Sequence, residues 1–161
     1  LAVIVILAVV MLIGITSIGP IMANSRKSAL RSDGLDLMNA AKTAYQAEAL
    51  KTSQDFTATS TVCMTIDWLE AQGYTENKQN YKGSVLVSYN SGSYTYTYWI
   101  ANGTYAFKGA DAKTAYDDDN KVKDYADSDD ADLNSCGQAS EGKKCTAVKG
   151  TDGKYTSSSC N

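Results

Sequence analysis

Residues Leu1–Ile15, LAVIVILAVVMLIGI, form an almost unbroken apolar run, and no charged residue appears before Arg26. A segment this apolar must be taken out of water, either into a bilayer or against copies of itself. As a helix, residues 1–23 span about 34 Å at ~1.5 Å per residue, enough to cross a hydrocarbon core of about 30 Å. No small-residue cleavage site of a secretory signal closes the run. The sequence instead predicts that the helix continues into a water-soluble domain. Gly14, Thr16, Ser17, Gly19 and Pro20 cluster at the far end of the run, which predicts a kink or local unwinding between Gly14 and Pro20.

Beyond the run, from Ser25 to about Ser53, the pattern is amphipathic. Leu30, Leu37, Ala41 and Ala44 recur on one stripe, flanked by Met38 and Tyr45. The Ala-rich stretch Asn39–Leu50 is strongly helix-favouring. Three units follow: an apolar transmembrane or filament-core helix over 1–24, the amphipathic half of the same helix over 25–54, and a globular head over 55–161. The fold class is α+β, a long helix packed on a small antiparallel sheet with a disulfide-bonded C-terminal region.

Within the head, residues 54–62 read as a loop. Thr65 is placed to cap a short helix, Ile66–Gln72, closed by Gly73. Tyr81–Tyr89, Tyr94–Ala101 and Thr104–Lys108 are rich in Tyr, Thr and Val and predict a three-stranded meander. Its first turn lies at Asn90-Ser91-Gly92-Ser93 and its second at Asn102-Gly103. Tyr94, Tyr96 and Tyr98 share one face of the middle strand, opposite Thr95, Thr97 and Trp99. A tyrosine row suits sugars, but packing on the helix accounts for it more simply. Residues 111–134, with Asp117-Asp118-Asp119 and Asp127 to Asp132, read as a solvated acidic loop. It lacks the glycine and closing glutamate of an EF-hand calcium loop.

The chain has four cysteines and no histidine. Without histidine the commonest general base and metal ligand is missing. No nucleophile–base pair stands out, so the sequence nominates no catalytic residue, metal ligand or cofactor, and the expectation is a protein that is not an enzyme. The net charge of -3 argues against a specific nucleic-acid partner. The cysteines have no C-x-x-C spacing and read as two disulfides formed in an oxidising compartment. Four cysteines allow three connectivities. A hairpin over 143–160 with a two-residue turn at Asp152-Gly153 sets Thr151 opposite Lys154 and Cys145 opposite Cys160. That favours Cys145–Cys160 and, by elimination, Cys63–Cys136. Asn102-Gly103-Thr104 also fits a glycosylation sequon, although it overlaps a turn whose chemistry accounts for it, and Ser157–Ser159 offer hydroxyls to O-linked sugar.

The apolar run, the breaker, the basic residues of NSRKSALRS and the Ala-rich helix together resemble the N-terminal half of type IV pilins, most closely those of Gram-positive bacteria. The string VCMTIDWLEAQGYTENKQNYKGSVLVSY, followed by YTYTYWIANGTYAF, is similar to the heads of that group, so the resemblance covers residues 1 to about 109. The family's Gly–Phe-type processing site and the acidic residue after it do not occur in this chain, and aligning the apolar run places them before Leu1. Pro20 lies later than the family's usual proline.

The resemblance implies a structural subunit of an extracellular type IV pilus. Such a subunit is a precursor in the cytoplasmic (inner) membrane, trimmed by a prepilin peptidase, N-methylated and passed by the assembly machinery into a helical filament of identical copies. The heads stay at the cell surface, in fibres used for adhesion or motility. Leu1, Val3, Ile4, Ile6, Leu7, Val10, Leu12 and Ile13 are the expected filament core. Arg26, Lys27 and Arg31 are placed to meet acidic residues of neighbours. Basic residues after a membrane helix ordinarily stay cytoplasmic, so an outward head implies a basic leader before the apolar run. The alternative reading is a membrane-anchored extracytoplasmic module that binds carbohydrate or another ligand through the tyrosine face.

Overall fold

A computed structural model describes residues 2–51, 56–114, 122–140 and 142–161, with the backbone alone for residues 2 and 4–18. Helix α1 runs from Ala2 to Ala49, 48 residues without a break. At ~1.5 Å per residue it is about 72 Å long. The expected unwinding at Gly14–Pro20 is corrected, since Pro20 lies inside the helix and Gly14 and Gly19 are helical. Pro20 withdraws a single N–H from the ladder, and an interior glycine costs about 1 kcal/mol without forbidding the helix.

The amphipathic stripe then meets the head. Leu30, Leu37, Ala41, Ala44 and Tyr45 are all buried, with Met38 partly so. They lie against Val85, Val87, Tyr98, Ile100, Phe107 and Ala110 of the sheet. The strands are β1 (Val62–Thr65), β2 (Lys82–Asn90), β3 (Ser93–Ala101), β4 (Tyr105–Ala110), β5 (Val122–Asp124), β6 (Lys143–Lys149) and β7 (Tyr155–Cys160). They form one seven-stranded sheet in the order β5-β4-β3-β2-β1-β6-β7. The sheet is therefore larger than the expected meander. β1, which begins at Val62, the last residue of the expected loop, pairs antiparallel with β2 and parallel with β6.

Thr65 caps the short helix α2 (Ile66–Ala71) as expected, its Oγ1 accepting from the Trp68 N–H at 3.2 Å, and Gly73 follows with φ 81°. The same hydroxyl donates to the Cys145 carbonyl at 3.1 Å, tying α2 to β6. The β2–β3 hairpin turns on Ser91 and Gly92, both with positive φ (49° and 87°), as a type I′ turn requires.

The β3–β4 turn is displaced by one residue from the expected Asn102-Gly103. Asn102 donates its N–H to the Tyr105 carbonyl at 3.1 Å, so Gly103 and Thr104 are the central pair, with the positive φ (82°) at Gly103. That is the position where a type II′ turn needs glycine.

From Val122 onward the acidic stretch is not a solvated loop. It holds β5, a 3₁₀ turn (Asp127–Asp129) and a short helix α3 (Asp130–Leu133). Leu133 is fully buried with Ala101 and Ala106 on the sheet face away from α1, beside Trp99 and Tyr125. Charge drew this stretch toward a loop reading, yet Lys108 pairs with Asp129, and Lys82 with Asp130 at 2.5 Å. Ser84, buried, donates to the Leu133 carbonyl (2.6 Å) and accepts from the Cys136 N–H (2.9 Å). Asp117-Asp118-Asp119 lie outside the described residues.

Candidate functional site

The features singled out by the sequence lie along α1 and at the cysteines. At the start of α1, Val3 is 68% exposed, and Ile21 and Met22 are 67% and 49% exposed. Gly19 and Pro20 are exposed too, and the first buried side chain among the described residues is Leu30. Leu1 lies outside the described residues, as do the side chains of Ile4, Ile6, Leu7, Val10, Leu12, Ile13 and Gly14's surroundings. Among the described residues no helix is long and apolar enough to cross a membrane.

After that start the basic residues begin. Arg26 is exposed, and Lys27 holds its ammonium 5.1 Å from the centre of the Tyr105 ring, on the head. Two turns on, Gly34 presses against Tyr98, where a Cβ would lie 2.3 Å from Cε2 of the ring. The absence of a side chain at Gly34 is what lets the fully buried Tyr98 reach the helix. Sequence reasoning passed over Gly34, though a glycine inside an otherwise helical pattern is a usual sign of close approach.

The seam between α1 and the head also carries phenols. Tyr81 donates to Asp33 at 2.8 Å, and Tyr74 donates to Glu48 at 2.8 Å. Tyr45, from the helix, donates to the carbonyls of Thr57 (3.1 Å) and Ser60 (2.7 Å) and stacks on Phe56. Burial, then the neighbouring Tyr94 and Tyr96, push the Tyr45 hydroxyl up to about 12. Burial and the bond to Asp33 push Tyr81 up to about 12 as well. Across the sheet, the bond from Lys82 and then that from Tyr125 hold the Asp130 carboxyl below its ordinary value.

The tyrosine row packs on the helix. Tyr98 is buried, Tyr96 partly buried, and Tyr94 lies edge-on to Tyr45 at 5.6 Å between ring centres. Tyr94 remains 41% exposed and donates to the Ala58 carbonyl at 2.7 Å. No group of His, Cys, Asp or Glu among the described residues is arranged to hold a metal ion.

All four cysteines are bridged, Cys63 to Cys136 and Cys145 to Cys160. Cys145 and Cys160 face each other across β6 and β7, the register counted from the sequence. The turn that sets it differs from the expected one. Gly150 donates to the Lys154 carbonyl, so the loop is Thr151-Asp152-Gly153, with Gly153 at φ 78°. A shift beside Val148 then restores the register. A three-residue loop with a following bulge is a standard hairpin closure, and the two departures cancel. On the chain-entropy account, closing 73 residues through Cys63–Cys136 contributes about 4 kcal/mol. Closing 15 through Cys145–Cys160 contributes about 3 kcal/mol.

These parts make a helix-borne head held by two covalent clamps, with Val3, Ile21 and Met22 of α1 exposed outside its core. The chain matches no protein-family model, no curated protein and no solved structure.

Proposed function

We propose that this protein is a structural subunit of an extracellular type IV pilus, held in the cytoplasmic membrane through its apolar N-terminal helix before assembly. The observation that carries the reading is the continuity of α1 from Ala2 to Ala49, with Leu30 the first buried side chain among the described residues. One rigid rod serves as spine of the head and continues as an apolar extension on which Val3, Ile21 and Met22 stand exposed. A tether to a membrane needs no such seamless join, whereas a filament does, because the rod fixes each head relative to the core.

Moving the apolar half from lipid into a bundle of identical helices keeps it in an apolar setting and adds packing contacts. Head-to-tail contacts that do not close on themselves extend into a fibre. The two disulfides fit an oxidising, extracytoplasmic head. The prepilin peptidase and assembly machinery are the further partners this reading requires. The packing of the tyrosine row on α1 supports filament subunit over glycan-binding module.

The test is electron microscopy of fibres sheared from the source cells, with mass spectrometry of their subunit. The expected result is fibres composed of this chain, lost when Val3→Glu places a charge in the core. Finding only membrane-bound monomer would overturn the reading.

A further inference from the structure

The Asn102-Gly103-Thr104 motif is the sole Asn-x-Ser/Thr sequence in the chain. Turn chemistry explains less of it than the sequence suggests. The type II′ turn at Gly103-Thr104 needs glycine at its first central position, which accounts for Gly103. The Asn102 side chain contributes only its oxygen, Oδ1, which accepts from the N–H groups of Thr104 (3.0 Å) and Tyr105 (2.9 Å).

Two atoms are left over. Among the described residues, neither Nδ2 of Asn102 nor Oγ1 of Thr104 makes a hydrogen bond, although the Thr104 carbonyl accepts from the Tyr125 N–H at 2.9 Å. These are the nitrogen that glycosylation uses and the hydroxyl that the motif requires two residues on. Gly103 and Thr104 are exposed. Beside them opens a surface hollow of about 370 Å³, lined by Arg26, Ala29, Gln79, Tyr81, Asn102 and Thr104. It offers a phenol, an amide and a guanidinium to a hydroxyl-rich group.

We propose that Asn102 is an N-glycosylation site, modified from a polyisoprenyl-diphosphate-linked oligosaccharide, with the first sugar seated over this hollow. In the transfer Nδ2 bonds to the anomeric carbon of the sugar, and the bond from that carbon to the phosphate oxygen breaks. The polyisoprenyl diphosphate leaves with the electron pair, and one Nδ2 proton passes to a base of the transferase. The two backbone bonds to Oδ1 draw electron density from the amide and make that proton easier to remove. The inference rests on the proposed export of the head, because donor and transferase act outside the cytoplasm.

The experiment is peptide mass spectrometry, with electron-transfer fragmentation, on the full chain purified from its source cells. The peptide Gly83–Lys108 is expected to carry a glycan mass on Asn102. Asn102→Asp, which keeps the accepting oxygen and so the turn, and Thr104→Val are each expected to abolish the mass, while Thr104→Ser keeps it. An unmodified Asn102 in protein whose four cysteines are oxidised would overturn the glycosylation and leave the exported-subunit reading standing. Modification persisting in Thr104→Val also overturns it. Unmodified protein recovered from the cytoplasm with free thiols would overturn both.

Discussion

Along α1, Ile21 and Met22 stand 67% and 49% exposed, while the far smaller Ala41 and Ala44 are fully buried. Among the described side chains of α1, Val3, Ile21 and Met22 lie exposed, whereas the stripe from Leu30 to Tyr45 forms the core of the head. In a chain folding for itself alone the order would be reversed, because burying larger apolar side chains stabilises more, at roughly 25 cal/mol per Å². The inversion teaches that the two halves answer to different environments. Alanines and Gly34 let the second half lie close on β2, β3 and β4. Val3, Ile21 and Met22 of the first half stand exposed outside the head.

The sharpest way to break this contrast is to truncate one apolar side chain in each half. Leu37→Ala is expected to destabilise the head by about 2–5 kcal/mol, and Ile21→Ala by less than ~0.5 kcal/mol. Denaturant unfolding of the full chain in detergent checks both. Equal losses would mean that the head covers Ile21.

A glycine pair gives a smaller effect with opposite signs. Gly34→Ala drives a methyl into the Tyr98 ring, whereas the same change at Gly19 meets nothing within 4 Å. Overpacking at Gly34 costs ~1–3 kcal/mol, only partly offset by ~1 kcal/mol of helix propensity. Gly19→Ala keeps the propensity gain alone. Thermal unfolding should therefore move down for Gly34→Ala and remain or rise for Gly19→Ala.

The last test is alkaline. Tyr45 and Tyr81 ionise near pH 10 when unfolded, but folding pushes both up to about 12. Folding thus favours the neutral phenols. Their contribution is fully present below about pH 10 and is lost as pH rises toward 12. Stability should fall across that window, and Tyr81→Phe, which cannot ionise, should flatten the slope. An unchanged slope would show that the seam between helix and head does not depend on that phenol.

What the sequence disclosed follows the range of the interactions. The stripe from Leu30 to Tyr45, the Thr65 cap and the β2–β3 hairpin are set by neighbours a few residues apart, and each lies where its spacing puts it. The parallel pairing of β1 with β6 joins Met64 to Cys145, and no local signal announces a partner that distant. Short strands such as β5, only Val122–Asp124, carry too few side chains to display a period. The acidic stretch misled because Asp129 and Asp130 look solvated until Lys108 and Lys82 are brought to them by the meander. The cysteine pairs were legible because Cys145 and Cys160 share a hairpin and only one other pair then remains. The contact of Gly34 with Tyr98 is an event between helix and sheet, and a lone glycine records it only faintly.

The two bridges also decide how the head responds to pull. A load entering along α1 and leaving near the C-terminus follows the shortest covalent route. That route crosses from Cys63 to Cys136 and from Cys145 to Cys160, taking 73 and 15 residue steps out of the path. Fully drawn out, the first of these loops alone would add about 250 Å at ~3.4 Å per residue. With the bridges closed, the whole meander hangs beside the load line instead of within it. In the proposed fibre, such a head would hold its length under tension even when the sheet gives way.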